Sequence, residues 1–505
     1  MPTIHIDGNS LTLAELRAVV YERHPVELAK SAYAAVNKAR AIVDELVEKN
    51  ELAYAITTGV GRLSDVRIPP PQIRELQVNL VRSHCVGVGD PLPQAATRAM
   101  MLLRANSLAK GFSGVRAVIV ETLCSMLNRG VHPVIPSQGS VGASGDLAPL
   151  AHLALSLIGE GDCEFQGEIM PSAQALKESK LKPVVLEAKE SISLINGTQA
   201  MLAIGTLAVL VAETLVDSAD VIGALAADAL LGSDVAFDER IQQVRPHPGQ
   251  LQSAANLRRM LADSALRESH RDCGRVQDAY SLRCMPQVHG AVRDAIAHCR
   301  CVFEIEMNSA VDNPLVFANK KNGDIISGGN FHGEPLAFAL DFLAIALSSL
   351  AGISERRLER MVNPALSEGL PPFLASGAGL NSGFMMAQVT AAALVSENKV
   401  FAHPASVDSI TTSGNKEDYV SMGMTAALKL EKIIQNTTNV LAIEAMAAAQ
   451  ALDFRAPLAS SKRCEQAKAA IRKVCPSVEK DRVLAGDFAH VAEMIREDKL
   501  TAALK

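Results

Sequence analysis

The sequence predicts a mainly α-helical protein, a bundle of long central helices with a mixed, loop-rich N-terminal head. Three observations lead there. The stretch Thr198–Leu231 is long, apolar and free of proline, and Pro335–Met361, Met385–Phe401 and Val420–Leu452 are similar. Helices of about 30 residues would be about 45 Å long, more than a small domain needs and suited to a bundle of rods. The composition agrees: 48% of the 505 residues are hydrophobic but only 4% are aromatic and none is Trp, so Ala, Leu and Val must fill closely packed helix interfaces. Finally, the Gly, Pro, Asn and polar residues collect in compact loops, Val276–Pro286, Asn308–His332 and Ala402–Asp418, where function concentrates.

The head opens with a strand-like His5-Ile6-Asp7 and a capping box at Thr12 and Glu15. Helical periodicity runs over Val26–Asn50. Residues Glu51–Pro71 mix β-branched residues, glycines and prolines and read as a loop. Helices are predicted near Gln72–Cys85, Ala95–Ala109 and Gly114–Asn128, with a break at Gly87 and Gly89. A polar patch over Gly161–Lys189 suggests a small hairpin. The predicted divisions are a head over 1–197, the long-helix bundle over 198–452 and a C-terminal helical segment over 453–505.

Composition also narrows the function. A net charge of −6 without a basic tract argues against nucleic acid and anionic membranes as partners. The apolar runs around Met201–Val211 and Leu336–Leu350 are broken by Glu213 and Asp341, short of the roughly 18 uncharged residues of a membrane span. Nine scattered cysteines with no Cys-x-x-Cys pair read as reduced thiols. The first residues lack the basic and apolar pattern of a signal peptide, so a cytoplasmic location is expected. No His-x-x-x-His pair or Cys/His cluster has ligand spacing, so no metal is expected. Gly59-Val-Gly61 and Gly87-Val-Gly89 each lack the third glycine of a dinucleotide loop.

The most informative segment is Gly139–Leu150, GSVGASGDLAPL. If the chain is pinched at Ala143-Ser144-Gly145, the Gly145 amide nitrogen can attack the Ala143 carbonyl carbon. Loss of water closes a five-membered ring, and loss of the Ser144 hydroxyl leaves an exocyclic methylene. The product, 4-methylidene-imidazol-5-one, is an electrophile that no ordinary side chain provides. The same residues also read as a helix entry, with Ser144 as N-cap and Asp146 as a first-turn acid.

This segment and several others, in chain order, resemble the aromatic amino acid ammonia-lyase family. Tyr54-Ala-Ile-Thr-Thr-Gly-Val-Gly61 resembles its tyrosine loop, with Ala55 where glycine is usual. Asn79–His84 is similar to the segment that reads the substrate side chain, and Leu194–Gln199 to the asparagine loop. Gln277–Cys284, Gly328–His332 and His403–Ile410 with Asn415–Asp418 resemble the remaining site segments.

The resemblance implies the aromatic amino acid lyase fold. It also implies the electrophile formed from Ala143, Ser144 and Gly145, with no external cofactor. It gives Tyr54 the part of base at the β-carbon, and a tyrosine with a reference pKa of about 10 must then be shifted towards phenolate. Arg283 becomes the carboxylate clamp, suited by its planar fork. Tyr280 supports the electrophile from the same helical face. Asn196 and Gln277 hold substrate or ring oxygens, and Phe331 packs beside them. A homotetramer is implied, each site assembled from three subunits; the exposed length of such apolar rods points the same way.

The resemblance implies a small amino acid as substrate, and Ser83, His84 and Glu417 favour L-histidine, which would give urocanate. A carboxylate beside an imidazole orients it and favours its charged form. Against a phenyl ring it would only cost desolvation. Tyrosine or phenylalanine ammonia-lyases and 2,3-aminomutases, which use the same electrophile, are the alternatives. Lys416, beside Glu417, departs from the family pattern and would partly neutralise it; Ser191-Ile192-Ser193 departs from a more usual Gly-Leu-Ala.

Overall fold

The computed structural model describes residues 1–318 and 323–504, so residues 319–322 of the predicted loop Asn308–His332 lie outside the described residues. The chain forms two compact units, each assembled from separated stretches. The first comprises Met1–Leu207, Arg300–Leu340 and Pro404–Leu428; the second comprises Ala208–Cys299, Asp341–His403 and Lys429–Lys505. Residues 198–452 are thus divided between the two units. The long helices Gln199–Ala229, Met285–Met307, Glu334–Val362 and Gly423–Asp453 each contribute residues to both.

In the first unit the helix Gln94–Ala109 is the core element, with every residue from Ala96 to Ala109 buried. Amphipathic helices Leu13–Tyr21, Ala32–Glu48 and Ala117–Arg129 supply the apolar faces around it. The capping box forms as expected: Glu15 N donates to Thr12 Oγ1 at 3.2 Å and Thr12 N donates to Glu15 Oε2 at 2.9 Å. The predicted helix over Val26–Asn50 starts late. Val26–Leu28 is a strand, paired in parallel with Ile4–Ile6, because its alternating buried side chains fit a sheet edge better than a first helical turn. The hairpin expected within Gly161–Lys189 is present as Asp162–Phe165 and Glu168–Pro171. A second hairpin pairs Leu315–Ala318 with Gly323–Ile326.

The second unit is helical. Its centre is a fully buried ionic network. Arg357 holds Glu444 with both edges of its guanidinium (2.5 and 2.9 Å), and Ser354 Oγ donates to the same carboxylate. Arg357 also donates to His289 Nε2 (3.3 Å), whose Nδ1–H donates to Asp220 (2.8 Å). Each charge therefore has a partner, as burial requires.

The helices Gln199–Ala229 and Glu334–Val362 run well beyond their apolar cores and, contrary to the sequence expectation, are long and apolar enough to cross a membrane by length and composition alone. Their most apolar windows are 72% and 67% buried within the protein, as core helices are.

Candidate active site

The segment Gly139–Asp146 is pinned on both flanks. Gly142 O accepts from Ser421 Oγ (3.2 Å) and from Gly333 N (3.3 Å), and Val141 O accepts from Met422 N (2.9 Å). On the other side Asp146 N donates to Gly197 O (2.6 Å), and Gly145 bridges Gly197 in parallel register. Gly145 has φ 72°, and a Cβ there would lie 2.0 Å from Gly197 O, so only glycine fits. Asn196 Nδ2 donates to Ser144 O (2.8 Å). These contacts hold the turn from both sides and leave glycine on the nitrogen that ring closure would use, so the residues fit the methylidene-imidazolone.

Asp146 behaves differently from the helix-entry reading. It does precede the helix Leu147–Leu157, but its side chain makes no capping bond to that helix. Its Oδ2 accepts from Ala200 N and Met201 N (both 2.9 Å), capping the helix that starts at Gln199, and Oδ1 accepts from Ser140 Oγ (2.9 Å). Burial is the larger influence and pushes its pKa up to about 6, against the lowering effect of these hydrogen bonds. Ser144 is not an N-cap either; its hydroxyl donates to Glu417 Oε1 at 2.8 Å.

Around Ser144 lies a cavity of about 1070 Å³, lined among others by Tyr54, His84, Ala143, Asn196, Phe331 and Glu417. All belong to the first unit. Tyr54 sits in the irregular Glu51–Pro71 segment, and its phenol oxygen accepts from Gly61 N (3.1 Å). Ala55, in the glycine place, adopts φ 57°, a left-handed conformation that costs a non-glycine residue about 1 kcal/mol. His84 closes the helix Ile73–His84. Its Nδ1 meets Leu80 O at 2.8 Å, so Nδ1 carries the proton and Nε2 is left as an acceptor. Burial lowers its pKa, outweighing the Leu80 carbonyl and the negative charge of Glu417, which raise it.

Glu417 is held from both oxygens, by Ser144 Oγ on one and Thr412 Oγ1 (2.7 Å) on the other, and its backbone bridges Thr412. Among the described residues Lys416 forms no ion pair with it, although both line the cavity. Thr412 escaped the sequence reading; its signal, a hydroxyl five residues before the acid, is too common to stand out. His332, the end of the predicted site segment Gly328–His332 but given no role of its own there, lines the cavity and stacks on Tyr419 with ring centroids 6.1 Å apart. Asn196 Oδ1 is buried without a partner, an acceptor left open beside Ser144.

The serines that replace Gly and Ala before the asparagine loop have partners. Ser191 donates through N and Oγ to Gln77 Oε1 (3.1 and 2.6 Å), and Ser193 Oγ donates to Ser113 O and accepts from the buried Lys189 Nζ. They therefore brace the loop from below rather than enter the cavity.

Gln277, Tyr280 and Arg283 are not brought to this cavity. They belong to the second unit, and none of them lines it. Tyr280 and Arg283 do share one face of the short helix Tyr280–Arg283, with the guanidinium 4.8 Å from the ring centroid. Tyr280 is 71% exposed and Arg283 Nε is buried without a partner. Sequence order places these residues in one motif list with Tyr54 but carries no information about which surface, or which copy of the chain, they face.

A mainly helical fold with a glycine-pinched Ala-Ser-Gly turn facing a tyrosine and a carboxylate defines a lyase scaffold, and similarity to known proteins agrees. Residues 11–473 match the family model described as aromatic amino acid lyase. The chain is 68% identical to a histidine ammonia-lyase of Koribacter versatilis over 515 aligned positions, covering 100% of both chains. A crystal structure of histidine ammonia-lyase from Trypanosoma cruzi superimposes with a TM-score of 0.92 at 43% identity, covering 100% of this chain and 95% of that one. A tyrosine aminomutase from Streptomyces globisporus superimposes with a TM-score of 0.94 at 40% identity, covering 99% and 98%. The chain belongs to the aromatic amino acid lyase family. It is an enzyme, a carbon–nitrogen lyase.

Proposed function

We propose that this chain eliminates ammonia from L-histidine to give urocanate, using 4-methylidene-imidazol-5-one formed from Ala143, Ser144 and Gly145. The observation that carries the reading is the pair of acceptors, His84 Nε2 and the Glu417 carboxylate, on the cavity that holds Ser144. An imidazole ring offers two N–H donors when protonated and a phenyl ring offers none, so two acceptors select the former. The full-length identity to a histidine ammonia-lyase supports the same substrate.

The methylidene-imidazolone supplies an electrophile for the departing amine. The chain's own residues do the rest. Tyr54, its phenol oxygen held by Gly61 N–H, removes the β-proton. The open Asn196 Oδ1 accepts from the substrate ammonium. Phe331 packs on the substrate and keeps water from it. Gln277, Tyr280 and Arg283 come from neighbouring copies in a homotetramer with shared sites, where the Arg283 fork binds the carboxylate. The enzyme acts in the cytoplasm; among the described residues no disulfide joins any of the nine cysteines, which suits a reducing compartment.

The test is direct. The purified protein is incubated separately with L-histidine, L-tyrosine and L-phenylalanine, and the ultraviolet absorbance of each acrylate product is followed. Urocanate should form fastest, and Ser144→Ala should abolish turnover while keeping the fold. Faster turnover of tyrosine, or formation of β-tyrosine, would favour a second reading, a tyrosine-directed enzyme, for which the tyrosine aminomutase likeness speaks.

A further inference from the structure

In the first unit, apart from the lyase cavity, a smaller cavity of about 440 Å³ is lined by Arg23, Arg98, Arg129, His132, Glu164 and neighbouring residues. None of the lyase-site residues contributes to it. Its electrostatics are unusual. Arg98 is 2% exposed, yet its hydrogen bonds go only to neutral acceptors: Val19 O, Val20 O, Leu127 O and His132 Nε2. Arg23 reaches His132 Nε2 and Gln94 Oε1, and Arg129 reaches Ser179 O (2.7 Å). Among the described residues none of these three guanidinium groups pairs with a carboxylate. Glu164, the one acid among the lining residues, instead accepts from Gln94. A buried cation without a counter-charge is costly and is normally neutralised by something.

His132 does not supply that charge. Its Nε2 accepts from Arg98 Nη1 at 2.9 Å and faces Arg23 Nη1 at 3.4 Å, so in the neutral ring the proton must sit on Nδ1. Burial first, and the two arginines next, push its pKa down to about 3, so the ring is neutral at ordinary pH. The residue is 4% exposed and its Nδ1 has no partner. The ring is thus a neutral neighbour of both arginines, on a wall that Gln94 and Glu164 share with the guanidinium groups. Arg23 stands at φ 60°, the left-handed position that ends the helix Leu13–Tyr21, where glycine is usual. A long cation there, held over His132, is a costly choice for a simple helix stop.

We propose that this cavity is an oxyanion site that takes a phosphate group, either as inorganic phosphate or as the terminal phosphate of a small ester. Guanidinium forks match phosphate oxygens in pairs, and three guanidinium-bearing residues line this cavity. The bound anion would supply the counter-charge that Arg98 lacks among its hydrogen-bond partners.

The experiment is calorimetric titration of the intact enzyme with inorganic phosphate and, separately, with glycerol phosphate, against acetate and chloride at matched ionic strength. Saturable binding of about one phosphate per chain is expected. The exposed arginines can be changed without touching the core, so R23Q/R129Q and the single R129Q serve as variants, with circular dichroism confirming the fold. The double variant should weaken binding by about tenfold or more and leave the lyase rate in phosphate-free buffer unchanged. Binding of both ligands assigns free phosphate; binding of the ester alone assigns a phosphorylated metabolite. No saturable binding of either below about 10 mM, equal binding of acetate or chloride, or wild-type affinity in the double variant would overturn the assignment.

Discussion

Replacing Glu417 by glutamine separates the two tasks that the structure gives this carboxylate. Its Oε1 accepts from Ser144 Oγ and its Oε2 from Thr412 Oγ1, at 2.8 and 2.7 Å. Glutamine has the same length. Its amide oxygen can still accept from Ser144, and its NH2 can donate to the Thr412 hydroxyl, which reverses its role. The loop should therefore hold, and the Ala-Ser-Gly turn should still mature. What is lost is the charge beside the substrate ring. A hydrogen bond to a charged group contributes about 1.5–3 kcal/mol and a neutral one about 0.5–1.5 kcal/mol, so the difference is about 1–2 kcal/mol. That corresponds to a fall of about 5- to 30-fold in kcat/KM for histidine. Glu417→Ala removes both acceptor oxygens as well and, in the matured enzyme that has lost the Ser144 hydroxyl, leaves the Thr412 hydroxyl unpaired. It should cost more than the glutamine variant, by about tenfold or beyond. The assay is steady-state urocanate formation, with intact mass reporting the loss of two waters that accompanies ring formation. Wild-type kcat/KM in Glu417→Gln, or an equal loss on phenylalanine as a slow substrate, would refute the reasoning.

Asp146 should make stability depend on pH in an unusual direction. Its folded pKa of about 6 lies above its ordinary value of 3.8, so its contribution to stability is fully present below that ordinary value and is lost as pH rises through about 6. Asp146→Asn can keep the caps on Ala200 and Met201 without this dependence. The stability of the wild type relative to the variant should therefore fall by about 3 kcal/mol at most between pH 4 and pH 7, read from urea midpoints; parallel curves would contradict it. Glu444→Gln should destabilise the second unit by about 3–5 kcal/mol, because Arg357 is left buried with a neutral partner; an unchanged thermal midpoint would rule this out. Tyr54→Phe should reduce turnover by about a hundredfold or more while the intact mass still shows the matured turn. A nearly unchanged rate would remove Tyr54 from the role of base.

The helices were legible because their signal is local. Met385–Phe401 is found at the predicted bounds, and Gln199–Ala229 and Glu334–Val362 within two residues of theirs, since a long apolar run without proline has few other ways to satisfy its backbone. Short elements were not. Val26–Leu28 becomes a strand only because Ile4–Ile6 lies alongside, a pairing that no window around residue 26 contains. Asp146 reads as a cap for the helix that follows it, and its chemistry allows that. The fold instead presents it with the free N–H groups of a helix more than fifty residues on.

By itself the sequence determined the reaction class and pointed to the Ala-Ser-Gly turn as its reactive centre. The Ala-Ser-Gly turn, the tyrosine loop and the asparagine loop are each contiguous, and their chemistry resides in residue type and spacing. Only the tertiary structure decided which of these groups meet. Ser144 and Glu417 are 273 positions apart and share a hydrogen bond, and Lys416, their charged neighbour in sequence, takes no part in it. It was also the tertiary structure that set Gln277, Tyr280 and Arg283 in a different unit from the cavity they resemble in motif. The physical reason is the same in each case. Side-chain chemistry is carried by the residue, but the desolvation and partners that make it useful come from chain segments that meet only when the core closes.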